Sequence, residues 1–225
     1  MPAVSHRLKL VFFPIPKNAC SSIKALIYRA DTGRDFGDDV HTKETSVHAI
    51  YPSVQTGEWW APYYEHYDTF LVLRDPLDRF ISAFKNRILA HGDVLIENRR
   101  RAPDGKEDPL APYPEVNEFI EAMDVYMKYS VEVFHHFCPQ AEFVRKVIPK
   151  TSRIFQMSDL SLVAELVSIK AGIRLDMPWL QTTGRERHVG KISDRNLLRL
   201  KRFYAEDYEL MRTYTKEKSF HVSEG

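Results

Sequence analysis

The 225-residue sequence contains few cysteines and no long apolar segment. Its two cysteines, Cys20 and Cys138, are too few for a disulfide scaffold or a cysteine-rich zinc module. The apolar run near the start, residues 10–15, is broken by Pro14 and is too short for a membrane span or a signal-peptide core. These absences predict a soluble protein from a reducing, cytoplasmic compartment, folded as one domain over residues 1–225.

Net charge is also nearly absent, since 32 basic and 31 acidic side chains leave a formal charge of +1 at pH 7. A nucleic-acid-binding protein carries a basic excess, so this balance argues against a nucleic-acid partner. The charges are unevenly distributed, because residues 1–30 carry five basic side chains and no acidic one. A local basic excess of this kind suits the binding of a small polyanion. The alternative is that these charges belong to ordinary solvent-exposed faces.

The first half of the chain contains two predicted strands, each followed by a loop and a helix. Leu8–Phe13 and Thr69–Leu73 are short apolar runs typical of buried strands. Ser21 or Ser22 is predicted to cap the first helix, and the second helix is predicted over residues 76–90. Strands that alternate with helices predict an α/β fold with a central parallel sheet flanked by helices. Ligands of such sheets bind at the carboxyl ends of the strands.

The second half of the chain contains the remaining predicted elements. A flexible loop is predicted over residues 92–114, which are rich in proline and arginine. A helix is predicted over residues 116–137, and a strand over Arg153–Gln156. A second helix over residues 158–171 ends at Gly172, and a final helix is capped by Ser193 or Asp194.

The first loop, residues 16–22 (PKNACSS), has the features of an anion site. A loop that leads into a helix presents unpaired backbone N–H groups and the positive end of the helix dipole. Lys17 adds a mobile charge, and Ser21 and Ser22 add hydroxyl donors. The pattern G-x-x-x-x-G-K-[ST] is absent, which disfavours phosphoryl transfer from ATP. An ordinary capped helix after a strand is the alternative interpretation.

The second loop is a further candidate anion site. Arg74 ends a buried strand, where a charge is costly unless it is paired or binds an anion. Ser82 lies two turns into the following helix. The alternative is that Arg74 pairs with Asp75 or Asp78 as a structural ion pair. Either motif alone is moderate evidence, and their order and spacing together are much stronger.

Together the two motifs resemble those of PAPS-dependent sulfotransferases. Residues 12–24 (FFPIPKNACSSIK) resemble the 5′-phosphosulfate loop of that family, and residues 71–84 (LVLRDPLDRFISAF) resemble its 3′-phosphate motif. The group that the chain most resembles is the carbohydrate sulfotransferases typified by the Golgi heparan and chondroitin O-sulfotransferases. Residues 200–211 (LKRFYAEDYELM), to which residues 188–193 lead, also resemble the C-terminal helix of the family, in which a tyrosine is followed after two residues by an aspartate and an aromatic residue. The matches together span positions 10–214.

The resemblance implies a P-loop NTPase-like three-layer fold and a set of cofactor-binding residues. Lys17 would contact the phosphosulfate of PAPS, and Arg74 and Ser82 would bind its 3′-phosphate. The 5′-phosphate would be bound by consecutive loop residues: Asn18, Ala19, Cys20, Ser21 and Ser22. Residues 187–193, Ser193 among them, would close over the cofactor. The chain departs from the family at Cys20-Ser21, where Thr or Ser-Thr is common, and in lacking an asparagine near Gly190.

The implied reaction is sulfuryl transfer to a hydroxyl by in-line displacement, with PAP as the product. A weakly acidic alcohol needs a general base, and histidine suits neutral pH. Related heparan 2-O-sulfotransferases carry a catalytic histidine about two dozen residues before the arginine of the second motif, and His48 precedes Arg74 by 26 positions. We therefore predict that His48 and Lys17 are catalytic; Glu65, His66 and a merely packed His48 stay open. No metal site is predicted.

The predicted acceptor is a carbohydrate or glycolipid, which would place the protein beside a membrane if the glycan is lipid-linked. Residues 99–101, three arginines, could grip an anionic acceptor, but a solvated loop is the favoured interpretation. The aromatic residues between 59 and 67 could stack on sugar rings or fill core space. A non-catalytic nucleotide-binding protein of the same fold and a P-loop kinase are the alternative functions.

Overall fold

The computed structural model describes residues 2–37, 45–51, 66–94, 110–147, 153–180 and 188–221. Contacts divide the chain into two compact units, each built from two separate stretches. The first unit comprises Met1–Arg74 and Glu142–Thr182, and the second comprises Asp75–Ala141 and Thr183–Gly225. A single domain over residues 1–225 stays a prediction. Most of the predicted flexible loop, residues 95–109, lies outside the described residues.

A four-stranded sheet with the order β1-β2-β3-β4 forms the centre of the first unit. Its strands are β1 (Ala3–Ser5), β2 (Leu10–Phe13), β3 (Asp68–Leu73) and β4 (Arg153–Gln156). The last three strands are parallel, whereas β1 runs antiparallel to β2. The predicted α/β fold with a central parallel sheet is therefore confirmed, except that the edge strand is antiparallel. The edge strand β1 was not predicted, because three residues carry too short a pattern to indicate a strand.

Both faces of the central strands are buried, which explains their uninterrupted apolar sequences. Phe12 and Phe70 have no exposed surface and stack with ring centroids 5.0 Å apart. They belong to a cluster that includes buried residues of helix α1 (Cys20–Thr32) and of the late helix Leu160–Ala171. On the opposite face Val11 and Leu71 are equally buried. The short helix α2 (Val47–Ile50) completes this part of the unit.

The second unit is helical among its described residues. Its helices are α3 (Pro76–Ala83), α4 (Val116–Glu121), α5 (Met123–Tyr129), α6 (Val131–Phe137), α7 (Gln140–Val147), α9 (Asp194–Phe203) and α10 (Ala205–His221). Most of α7, from Glu142 onward, belongs to the first unit. The late helix of the first unit, Leu160–Ala171, is α8. A π-helical turn, Phe84–Ile88, extends α3. Phe80, Phe119 and Phe137 pack together with ring centroids 4.8–6.2 Å apart.

Two predicted helices differ from those observed. The helix predicted over residues 116–137 is three short helices, and α6 begins anew because the hydroxyl of Ser130 accepts a hydrogen bond from the Val133 N–H. The final helix begins with the predicted cap Ser193, but it breaks at Tyr204 between α9 and α10. Among the described residues, no helix has the length and apolar character needed to cross a membrane.

Candidate functional site

The first predicted anion loop follows the carboxyl end of β2 and has an unusual backbone. Lys17 and Ala19 adopt left-handed conformations, with φ of 70° and 60°, on either side of Asn18. Such conformations are costly for residues with a Cβ atom and concentrate at binding sites. Left-handed residues in a turn direct neighbouring backbone N–H groups toward one side, which creates a concave anion site. The loop therefore has the backbone of an anion-binding cradle.

Two side chains fasten this loop to the neighbouring parallel strand β3. The buried Asn18 donates from Nδ2 to the Val72 carbonyl at 2.8 Å, and its N–H donates to the Ile15 carbonyl at 3.2 Å. Arg74, at the end of β3, donates from Nη1 to the Lys17 carbonyl at 3.0 Å. The first loop and the arginine of the second motif are thus brought together, as their positions at strand ends predict. Their binding of phosphate groups stays a prediction.

Helix α1 begins one residue before the predicted serine caps, which corrects that assignment. Its N-cap is Ala19, which has no side chain able to accept a hydrogen bond, and its first turn contains no acidic residue. The first backbone N–H groups of a helix lack intrahelical acceptors. This end of α1 therefore presents N–H donors and the positive end of the helix dipole toward the loop.

The remaining loop residues have defined roles in the first unit. Cys20 donates from Sγ to the Ile15 carbonyl at 2.8 Å. The hydroxyl of Ser22 accepts a hydrogen bond from the Leu180 N–H at 3.0 Å, which attaches the segment after α8 to α1. Ser21, by contrast, contacts the predicted base. Its Oγ lies 2.9 Å from Nε2 of His48.

His48 lies in α2, whose N-cap Ser46 accepts a hydrogen bond from the His48 N–H. The other ring nitrogen, Nδ1, lies 3.1 Å from Nζ of Lys24. Lys24 has no exposed surface and also donates to the Tyr51 carbonyl at 2.6 Å. Neither Lys24 nor Tyr51 was predicted from the sequence to belong to the site. The available signal was the spacing of Ser21 and Lys24, which places them on the same side of a helix.

The electrostatics of this cluster favour an anion. The pKa of His48 is lowered to about 4, first by burial and then by the charges of Lys24 and Lys17. Burial also lowers the pKa of Lys24 to about 8. The imidazole is therefore neutral at pH 7, while Lys24 remains mainly charged. A site that resists a further positive charge in this way attracts a negative one.

The other predicted site residues lie in the second unit. Ser82 is half-buried in α3. Ser193 caps α9, and its N–H donates to Oδ1 of Asn117 at 3.0 Å. Asn117 also donates to the Lys191 carbonyl at 2.9 Å, so it holds the segment that was predicted to close over the cofactor. The cofactor contacts of Ser82 and Ser193 stay predictions. Arg187, at the start of that segment, lies outside the described residues.

Comparison with protein families places the whole of this arrangement in one family. The family model described as "Sulfotransferase family" matches residues 3–214, which include the loop, both strand ends and α9. No curated protein and no solved structure matched the chain. Because the match covers nearly the entire chain, the chain belongs to the sulfotransferase family.

Proposed function

We propose that this member of the sulfotransferase family transfers a sulfuryl group from PAPS to a hydroxyl of a carbohydrate or glycolipid, with PAP as the product. One observation carries the proposal: Arg74 at the end of β3 braces a left-handed loop that carries Lys17 and leads into an open helix N-terminus. Positive charge and N–H donors gathered at the carboxyl ends of parallel strands suit a phosphosulfate.

The residues of the loop fit such a donor. The N–H groups at the start of α1 would hold its 5′-phosphate, and the Ser21 hydroxyl lies in the same helical turn. When bound there, PAPS would supply the sulfuryl group, and the 5′-phosphate of PAP would be the leaving group. The Lys17 ammonium would stabilise the negative charge that develops on the departing oxygen. Arg74 and Ser82 are proposed to bind the 3′-phosphate.

The role of His48 as general base stays a prediction. A base must accept the proton of the attacking hydroxyl at a ring nitrogen. Both nitrogens of His48 already have partners, since Nε2 contacts Ser21 and Nδ1 contacts Lys24. His48 would therefore have to give up one of these contacts before it could act on an acceptor.

The choice of a carbohydrate or glycolipid acceptor is supported by the resemblance of the two motifs to carbohydrate sulfotransferases. The arginines at 99–101 and the aromatic residues between 59 and 65 lie outside the described residues. The acceptor must therefore be identified by a reaction screen. A cytoplasmic location is a proposal as well.

A transfer assay with ³⁵S-labelled PAPS tests the proposed reaction. The labelled donor is incubated with the wild-type protein and panels of oligosaccharides, glycolipids and simple phenols. We expect label to be transferred to a member of the first two panels. Replacing Lys17 by Met should lower turnover about 100-fold or more, because one preorganised charge at the reacting atoms is lost.

A matched control is Lys201→Met, which removes an exposed lysine of α9 in the second unit. Its turnover should equal that of the wild type. Transfer that survives intact in Lys17→Met would contradict the role of Lys17. Selective binding of PAP without transfer to any acceptor would instead support the non-catalytic alternative.

A further inference from the structure

A buried lysine, a histidine and a serine form a continuous chain of contacts beside the anion loop. Lys24 Nζ lies 3.1 Å from His48 Nδ1, and His48 Nε2 lies 2.9 Å from Ser21 Oγ. Lys24 and Ser21 are three positions apart in α1, so they lie on the same side of that helix. His48 is brought to them by α2. We call these three residues the Lys24–His48–Ser21 relay.

The chemistry of the lysine fixes the protons of the relay. An ammonium group has donors and no acceptor, so Nδ1 of His48 must be the acceptor in the contact with Lys24. A neutral imidazole with an accepting Nδ1 carries its proton on Nε2. Nε2 therefore donates to Ser21, whose oxygen accepts. The hydroxyl hydrogen of Ser21 can then be donated to a second group.

The contacts of Lys24 hold the relay in place. Its ammonium donates both to the Tyr51 carbonyl at 2.6 Å and to His48. The Tyr51 hydroxyl in turn donates to Asp31 of α1 at 2.9 Å, and Asp31 also accepts from Ser5 of β1. Hydrogen bonds through Tyr51 and Asp31 thus connect the buried Lys24 to the ends of α1, α2 and β1. This arrangement leaves little freedom for the His48 ring to rotate.

We infer that Lys24 and His48 are positioning residues that orient the Ser21 hydroxyl as a hydrogen-bond donor to the 5′-phosphate of the sulfuryl donor. The inference rests on the proposed function, because it assigns the anion at the start of α1 to that phosphate. It also gives His48 a role on the donor side of the reaction.

Calorimetric titration with PAP tests the relay without depending on turnover. The variants are Ser21→Ala, Lys24→Met, His48→Ala and His48→Gln, together with the double variant Ser21→Ala/Lys24→Met. Loss of a hydrogen bond to a charged group should weaken PAP binding about 10-fold or more in Ser21→Ala, Lys24→Met and His48→Ala. His48→Gln should restore most of the affinity, since its amide N–H can replace Nε2–H.

The double variant separates positioning from an independent effect of the lysine. If Lys24 acts through Ser21, the double variant should bind PAP about as weakly as Ser21→Ala alone. Effects that multiply would overturn the relay, because they would show that Lys24 acts on PAP by its charge. Unchanged PAP affinity in Ser21→Ala and His48→Ala would overturn it too.

Turnover at saturating PAPS distinguishes the relay from general-base catalysis. The relay predicts that His48→Gln retains kcat within a few fold of wild type and that His48→Ala mainly raises the KM for PAPS. Loss of kcat in both variants with unchanged PAP affinity would assign His48 as the base and overturn the relay. Failure of the wild-type protein to bind PAP would contradict the proposed function instead.

Matched controls guard against general destabilisation. Ser161→Ala on α8, Lys201→Met on α9 and His136→Gln on α6 remove the same kinds of side chain outside the relay. Each should bind PAP as the wild type does. Folding of every variant is verified by circular dichroism, and if Lys24→Met does not fold, Ser21→Ala and the two His48 variants decide the question.

Discussion

At the scale of single residues, Lys24 is the least expected feature of the chain. Its side chain has no exposed surface, although lysine is almost never fully buried in proteins. A lysine whose pKa falls from 10.5 to about 8 on folding costs the folded state about 3 kcal/mol at neutral pH. The lysine therefore does not stabilise the fold through its charge, and its contacts with His48 and Tyr51 point to a different role.

Replacing Lys24 by Met should therefore leave the protein at least as stable at pH 7. The apolar side chain removes the buried charge, which offsets the lost hydrogen bonds to His48 and Tyr51. The wild type should also gain stability between pH 8 and 10.5, where the unfolded chain binds more protons at this lysine than the folded one, and the variant should lack that gain. Urea unfolding at pH 7 and pH 10 measures both effects. A variant with a clearly lower free energy of unfolding than the wild type at pH 7 would contradict this account.

His48 should remain neutral well below the usual pH of histidine titration. Its pKa is lowered from 6.5 to about 4 by burial and by the charges of Lys24 and Lys17. As the pH falls from 6.5 toward 4, the unfolded chain gains a proton at His48 that the folded chain does not accept, so stability is lost in that window. An NMR titration of the imidazole and unfolding of His48→Gln at pH 7 and pH 5 check this. A ring that titrates near 6.5 would disprove it.

At the scale of elements, the C-terminal helices anchor a helix that precedes them by more than sixty residues. Asp207, which is fully buried in α10, accepts hydrogen bonds from the N–H groups of Gln140 and Ala141 at 2.9 Å each. Tyr204 is buried as well and donates to the Phe137 carbonyl at 2.8 Å. Tyr204 and Asp207 therefore hold helix ends in the second unit.

Replacing Asp207 by Asn should destabilise the protein, because an amide offers one good acceptor where the carboxylate offers two. We expect a loss of about 1–3 kcal/mol, which lowers the melting temperature by several degrees. Asp194→Asn is the matched control, since Asp194 is exposed in the first turn of α9. Thermal melts followed by circular dichroism compare the two. Equal melting temperatures for Asp207→Asn and the wild type would contradict the anchoring role.

The element boundaries show where sequence periodicity reaches its limit. Apolar residues recur at helical spacing throughout residues 116–137, so the pattern predicted one helix. The chain instead breaks at Ala122 and Ser130, and the spacing continues across both breaks. Periodicity records which side chains are buried, whereas a break depends on how one backbone turn caps the next. The strand Arg153–Gln156 and the helix end at Gly172 were predicted correctly, because each has a strong local signal.

At the scale of the whole molecule, the choice of nucleotide can be tested by the stability of the folded state. A ligand present at 100 times its dissociation constant adds about 2.7 kcal/mol, which raises the melting temperature of a chain of this size by roughly 5–10 °C. We expect this shift with PAP and none with Mg-ATP, since the loop lacks the Walker sequence. A shift with Mg-ATP alone would reject the sulfotransferase proposal in favour of a kinase.

The α/β fold, the two strand ends and the loop with Lys17 are readable from the amino-acid sequence, because short apolar runs and the residues that follow them are local signals. The tertiary structure alone decided that Lys24 is buried, that Ser22 contacts Leu180 and that Asp207 reaches Gln140. Each of these contacts joins residues far apart in the chain, or depends on what packs over a helix face. The sequence does not show whether the helix face that carries a lysine is covered by water or by protein. The burial of Lys24 therefore depends on the packing of distant residues over α1.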